Sequence, residues 1–76
     1  MKELLLYIAR NLVENPEAVT VTELQQEQDL TLELRVAPED MGKVIGRQGR
    51  IAREIRTVLR SYGQRSGVRV SVDIVG

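Results

Sequence analysis

The sequence contains no cysteine and no histidine. Disulfides, thiolate metal sites and cysteine nucleophiles are therefore excluded, and so is imidazole as a general base or metal ligand. What remains for catalysis is Ser61, Ser66, Ser71 and carboxylates scattered through the first half. None is spaced as a nucleophile–base pair or a metal site, and no GxxxxGK[ST] phosphate loop is present, so the chain reads as a non-enzyme without cofactor or metal. Phenylalanine and tryptophan are also missing, and the only aromatics are Tyr7 and Tyr62. Recognition surfaces of the stacking type need exposed aromatic rings, and these two tyrosines are all the chain offers for one. No long apolar run exists either: MKELLLYIAR is interrupted by Arg10 and lacks a small-residue cleavage site. It reads as a helix of the mature protein, and a cytoplasmic location is expected.

What is present fits one small domain over residues 1–76, with 42% hydrophobic residues and no low-complexity segment. A chain this short buries a modest fraction of its surface, so association would relieve limited stability. The net charge is zero but strongly polarised. From Met1 to Met41 three basic residues oppose nine acidic ones, a net −6, whereas from Gly42 to Gly76 eight basic residues oppose Glu54 and Asp73, a net +6. A basic half of this kind can draw in a polyanion despite a neutral average.

Hydrophobic periodicity predicts six elements. Glu3 to Glu14 reads as a helix with a Leu4, Leu5, Ile8, Leu12 stripe, stopped by Asn15-Pro16. A strand from Val19 to about Gln26 loses its alternation between Val21 and Leu24, which predicts a bulge or frayed edge there. After a polar turn at Glu27-Gln28-Asp29, LTLELRV alternates without fault. Pro38 opens a short helix to Ile45, with Glu39 and Asp40 complementing its dipole. A longer helix from about Gly49 to Tyr62 is expected to bury Ile51, Ala52, Ile55, Val58, Leu59 and Tyr62. Gly63 and Gly67 bracket a loop before a last strand through Val68, Val70, Val72 and Ile74. The order α-β-β-α-α-β gives an α+β fold, a three-stranded mixed sheet with helices on one face. Its first two strands form a hairpin, and the second and third, joined through two helices, form a parallel pair.

The densest functional signal is Lys43 to Arg56, KVIGRQGRIAREIR. Two glycines three apart recur by chance in roughly a third of chains this long, so their surroundings carry the reading. Here they lie at the seam between two helices, with Arg47 and Gln48 at the tip and the only strongly basic stretch around them. Gly46 closes one helix and is expected to need positive φ. Gly49 opens the next, where a β-carbon is expected to be tolerated. The start of a helix attracts an anion, and Arg47 and Arg50 add mobile charge beside it. Arg50, Arg53 and Arg60, with Thr57, share the solvent face of the second helix; for Arg60 an ordinary solvated position is the better reading. Ile51 phases with Ile55 toward the core. Leu6 and Val13 lie opposite the apolar stripe of the first helix, where a dimer contact and an unremarkable surface position are equally compatible.

These residues carry a resemblance. The element order, with Val44-Ile45-Gly46-Arg47-Gln48-Gly49 between the paired helices, resembles a type II KH domain along essentially the whole chain. The stretch APEDMGKVIGRQGRIAREIRTVL is similar to the small bacterial single-KH RNA-binding proteins of the KhpA type. The resemblance implies a domain that holds about four nucleotides of single-stranded RNA, with the backbone clamped by a GxxG turn and the bases in an adjacent apolar groove. Carried over by position, Gly46, Arg47, Gln48 and Gly49 would be the clamp. Lys43 and Ile45 before it, and Arg50 and Arg53 after it, would flank the strand. Many members place a basic residue and a glycine inside the turn, and this chain has Arg47 but Gln48. A homodimer, a heteromer with a larger KH-containing protein of the Jag type, and a role in post-transcriptional regulation or as an RNA chaperone are further implications. Two competing classes are a protein-assembly module using the same shape and a helix-turn-helix DNA reader. The DNA reader fits poorly because the first helix of the pair is so short.

Overall fold

The structure, a computed structural model, describes residues 1–76. Six main elements follow in the order α1 (Lys2–Arg10), β1 (Thr20–Gln26), β2 (Asp29–Arg35), α2 (Met41–Ile45), α3 (Arg50–Arg65) and β3 (Arg69–Val75). Short 3-10 turns at Pro16–Ala18, Pro38–Asp40 and Arg47–Gly49 fill three of the connections. The sheet order is β1-β2-β3, antiparallel between the first two strands and parallel between the last two. This is the mixed sheet that the α-β-β-α-α-β order predicts.

The core forms where the period-2 strands meet the apolar faces of the helices. Leu30, Leu32, Leu34 and Val36 turn inward from β2 and its exit, joined by Val70 and Val72 of β3. Leu5 and Ala9 of α1, Val44 of α2, and Ile55 and Leu59 of α3 close over them. Each leucine or isoleucine so buried stabilises the fold by about 1.5–3 kcal/mol relative to exposure.

Several expectations are corrected. The first helix ends at Arg10 rather than Glu14. The Asn11 side chain donates to the Tyr7 carbonyl at 2.7 Å, and the Leu12 amide turns back onto Ala9 at 3.0 Å. Local amide competition thus closes the helix about one turn before the expected end at Glu14. No bulge interrupts β1: its residues pair one-to-one with β2 from Thr20↔Arg35 to Gln26↔Asp29. The slip in alternation instead leaves Leu24 on the uncovered face of the sheet, 59% exposed. The hairpin turn narrows to Glu27 and Gln28, Glu27 having φ 55°. Leu6 and Val13, weighed as exposed, are half-buried and pack on the core.

The largest correction concerns α3. It runs through Gly63 to Arg65, so Gly63 belongs to the helix rather than to a loop. A β-carbon there would lie 2.5 Å from Val70 Cγ2 and 2.7 Å from the Val68 carbonyl. Glycine is what allows α3 to lie this close to β3. Ala52, Ile55 and Leu59 are buried as expected, Ile51 is half-buried, and Val58 and Tyr62 are 47% and 50% exposed. The buried arc is narrower than the periodicity suggests because the flank of α3 that carries Val58 and Tyr62 is left open to solvent.

Candidate nucleic-acid interface

The turn between α2 and α3 is built from backbone conformations that side chains resist. Gly46 has φ 77° and ψ 173°, a region essentially restricted to glycine. Positive φ is as expected, and a second constraint adds to it: a β-carbon on Gly46 would collide with Ile51. Gln48 sits at φ 58°, ψ 27°, and Gly49 at φ 73°, ψ 16°. Gly49 is therefore a left-handed residue and not a tolerant helix opener, although a β-carbon there would meet nothing closer than 3.9 Å. One backbone bond, Gly49 N to the Gly46 carbonyl at 3.1 Å, closes the loop.

This geometry puts Arg47 and Gln48 at an exposed tip directly before a 16-residue helix that has no side-chain cap. Arg47 takes part in no ion pair. Arg50 is exposed and 3.6 Å from Glu54, one helical turn on. Arg53 reaches back to donate from Nη1 to the Gln48 carbonyl at 2.9 Å, which braces the tip. Lys43 Nζ stands 3.9 Å from Asp40 Oδ1. Ile45 is half-buried against the core and anchors the end of α2. Lys43, Arg47, Arg50 and Arg53 are thus gathered around one turn as solvent-exposed cations.

Two residues were not identified by sequence reasoning. Asp40, read as a dipole partner, is only 1% exposed. Its carboxylate accepts the Glu14 amide at 3.2 Å, the Asn15 amide at 3.0 Å and the Asn15 side chain at 3.0 Å. Loss of hydration pushes this carboxyl upward. The bonds from Asn15 and Glu14, with the Lys43 charge, outweigh that effect and leave its pKa below the usual value. Asp40 thereby ties the chain between α1 and β1 to the start of α2. Arg56 is the second: its Nε donates to the Val72 carbonyl at 3.2 Å from a half-buried position. The Arg53, Arg56, Arg60 spacing was the available signal, one stripe along a helix.

Two concavities flank α3. On the α1 side, Ile8, Leu12, Ile51, Glu54, Ile55 and Val58 line an apolar cleft of about 350 Å³. On the β3 side, Arg60, Gln64, Val68, Arg69 and Val70 line a more polar one of about 240 Å³. Arg60 borders this concavity and is exposed, as a solvated helix position would be.

Residues 2–74 match the family described as KhpA/KhpB, KH domain. The chain is 55% identical over 75 residues to the RNA-binding protein KhpA of Clostridium acetobutylicum, covering 99% of this chain and all of that protein. It is 52% identical to RNA-binding protein KhpA of Caldanaerobacter subterraneus, again over 99% of this chain and 100% of the relative. For the protein of that name from Aquifex aeolicus the identity is 45%, over 99% and 95% of the two chains. With residues 2–74 matched by the family and 45–55% identity to these relatives over 99% of its length, the chain belongs to the KhpA/KhpB KH-domain family.

Proposed function

We propose that this chain binds single-stranded RNA and holds its phosphodiester backbone on the turn Gly46-Arg47-Gln48-Gly49. The observation that supports this most directly is the turn itself. Two glycines at positive φ and a glutamine at φ 58° keep Arg47 and Gln48 projecting ahead of α3, with no acidic side chain paired to Arg47. A phosphate there meets the positive end of a helix and a mobile guanidinium. Lys43, Arg50 and Arg53 flank the strand on either side, and Ile45 fixes the end of α2 that carries the turn. Relatives named RNA-binding protein KhpA support the same ligand.

Post-transcriptional regulation or RNA chaperoning in the cytoplasm is the setting this reading implies, and no helix is long and apolar enough to cross a membrane. Self-association, or pairing with a larger KH-containing protein of the Jag type, belongs to the same proposal. The apolar cleft between α1 and α3 is compatible with such a partner.

The test is a double substitution of Arg47 and Gln48 by Asp. Both side chains are exposed, so the domain should melt like the unsubstituted chain while two new negative charges repel the phosphates. Single-stranded RNA binding should be lost. A folded double variant that binds normally would place the ligand elsewhere.

A further inference from the structure

The peptide unit between Gln48 and Gly49 is held at both ends. Its N–H, that of Gly49, bonds the Gly46 carbonyl at 3.1 Å, and its carbonyl, that of Gln48, accepts from Arg53 Nη1 at 2.9 Å. Rotating the unit about its flanking bonds breaks both contacts together. The two hydrogen bonds thereby fix ψ of Gln48 and φ of Gly49, the torsions that set where the tip points.

This lock sits where the backbone needs one. Two reverse turns overlap here, one closed by the Gly49 amide onto Gly46 and the next by the Arg50 amide onto Arg47. Gln48 is central to both, and at φ 58° it fills a place that favours glycine or asparagine. For an L-residue the left-handed region is disfavoured on the order of tenfold. A residue other than glycine stays there only where its surroundings over-determine it. Arg53 is the one side chain that hydrogen-bonds the backbone of residues 46–49. A charged donor makes the stronger kind of hydrogen bond, and no carboxylate competes for this guanidinium. The fork also lies alongside Gly49, where a β-carbon would meet Nη1 at 3.9 Å.

We infer that Arg53 is a positioning residue of the turn: it locks the Gln48–Gly49 peptide so that a glutamine holds the conformation of a glycine, and the tip meets the RNA backbone already formed. Its guanidinium works from the α3 side and is not itself a phosphate contact. Binding is then spared the cost of ordering the turn. This inference rests on the single-strand binding proposed above and defines the part Arg53 plays in it.

The experiment is a cycle of four proteins: the unsubstituted chain, Arg53→Met, Gln48→Gly and the two substitutions combined. Each is titrated at two salt concentrations with a pool of random-sequence single-stranded RNA dodecamers. Arg53→Met should bind about tenfold more weakly than the unsubstituted chain with the same log-log salt slope, whereas loss of a phosphate contact would reduce that slope by about 0.7. Glycine adopts the left-handed form unaided. Adding Arg53→Met to Gln48→Gly should therefore weaken binding by less than about twofold beyond Gln48→Gly alone. Amide relaxation of the free proteins reads the lock directly: the order parameters of Gln48 and Gly49 should be about 0.85 in the unsubstituted chain and fall below about 0.6 in Arg53→Met. Arg53 is exposed, so the melting curve should show an intact fold. A reduced salt slope in Arg53→Met, or an equal loss of affinity with and without Gln48→Gly, makes Arg53 a direct contact and overturns the inference while the turn reading stands. Affinity or order parameters unchanged by Arg53→Met overturn it in the same way, the relaxation data deciding even where Gln48→Gly abolishes binding. Failure of the unsubstituted chain to bind the pool overturns the single-strand reading and this inference with it.

Discussion

A β-carbon built on Gly46 would stand 2.6 Å from Cγ1 of Ile51, the second residue of the helix that Gly46 precedes. The turn and the helix it introduces are thus packed through a contact that only a hydrogen at Cα permits. Gly46→Ala should lower stability by about 1–3 kcal/mol, since positive φ and collision act together. Gly49→Ala should cost about 1 kcal/mol from its left-handed conformation alone, because the space around it is open. Denaturant unfolding of both variants checks the order, and equal losses would refute it.

Gln48 occupies the same left-handed region without the freedom of glycine, at φ 58°. Gln48→Gly should raise stability by up to about 1 kcal/mol, strain relief being partly offset by the greater entropy of the unfolded chain. Chemical denaturation measures it. A loss of more than about 1 kcal/mol would mean that the glutamine side chain holds the turn.

At Gly63 two effects oppose each other. Alanine is favoured over glycine in a helix by about 1 kcal/mol, but its methyl would lie 2.5 Å from Val70 Cγ2 and 2.7 Å from the Val68 carbonyl. Overpacking of this kind costs about 1–3 kcal/mol, and one neighbour is backbone that cannot turn aside. Gly63→Ala should therefore destabilise. A higher melting temperature than the unsubstituted chain would show that α3 can lift off β3 freely.

The Asp40 carboxyl titrates below its usual value of about 3.8 in the folded chain. The native state then binds fewer protons than the unfolded one, so this group's stabilisation is complete above about pH 3.8 and is lost as pH falls through the lowered folded value. Asp40→Asn offers one oxygen where three N–H groups now find two, and should melt lower at neutral pH. The gap between the two melting curves should narrow as acid protonates Asp40. A gap constant from pH 7 to pH 2 would contradict the assignment.

RNA binding should depend on salt. If the cations around the turn neutralise roughly three phosphates, the log-log slope for a single strand is about −2, and a fourfold rise in salt weakens binding roughly 15 to 20 times. Titrations at two salt concentrations read the slope. Affinity unchanged by salt would remove the phosphate clamp.

Periodic elements were legible in the sequence. Leu30, Leu32, Leu34 and Val36 alternate on a strand that is covered on one face only, and the structure has them where the pattern puts them. Positive φ at Gly46 followed from its place at a helix end. Features set by distant neighbours were not legible. Gly63 reads locally as a helix breaker, and the reason it stays in α3 is Val68 and Val70 on another strand. The role of Asp40 depends on Asn15, and that of Arg56 on Val72, partners 25 and 16 residues away. The exposed Val58 and Tyr62 were misassigned because periodicity gives the direction of an apolar face but not the width of what covers it.

Asp29 and Arg69 are ion-paired at 2.8 Å across the parallel pair, 40 residues apart in sequence. The β1–β2 hairpin closes over two residues, whereas β2 and β3 can meet only after α2, the turn and α3 have folded back between them. In kinetic terms the hairpin can form early, and the central ladder waits on the crossover. The segment carrying the glycine turn is therefore also the loop whose closure completes the sheet. Strain introduced at Gly46 should slow refolding, while changes at the Glu27-Gln28 tip should act mainly on the early hairpin. In a nascent chain the final strand pairing accordingly waits until the glycine turn and both of its helices have emerged.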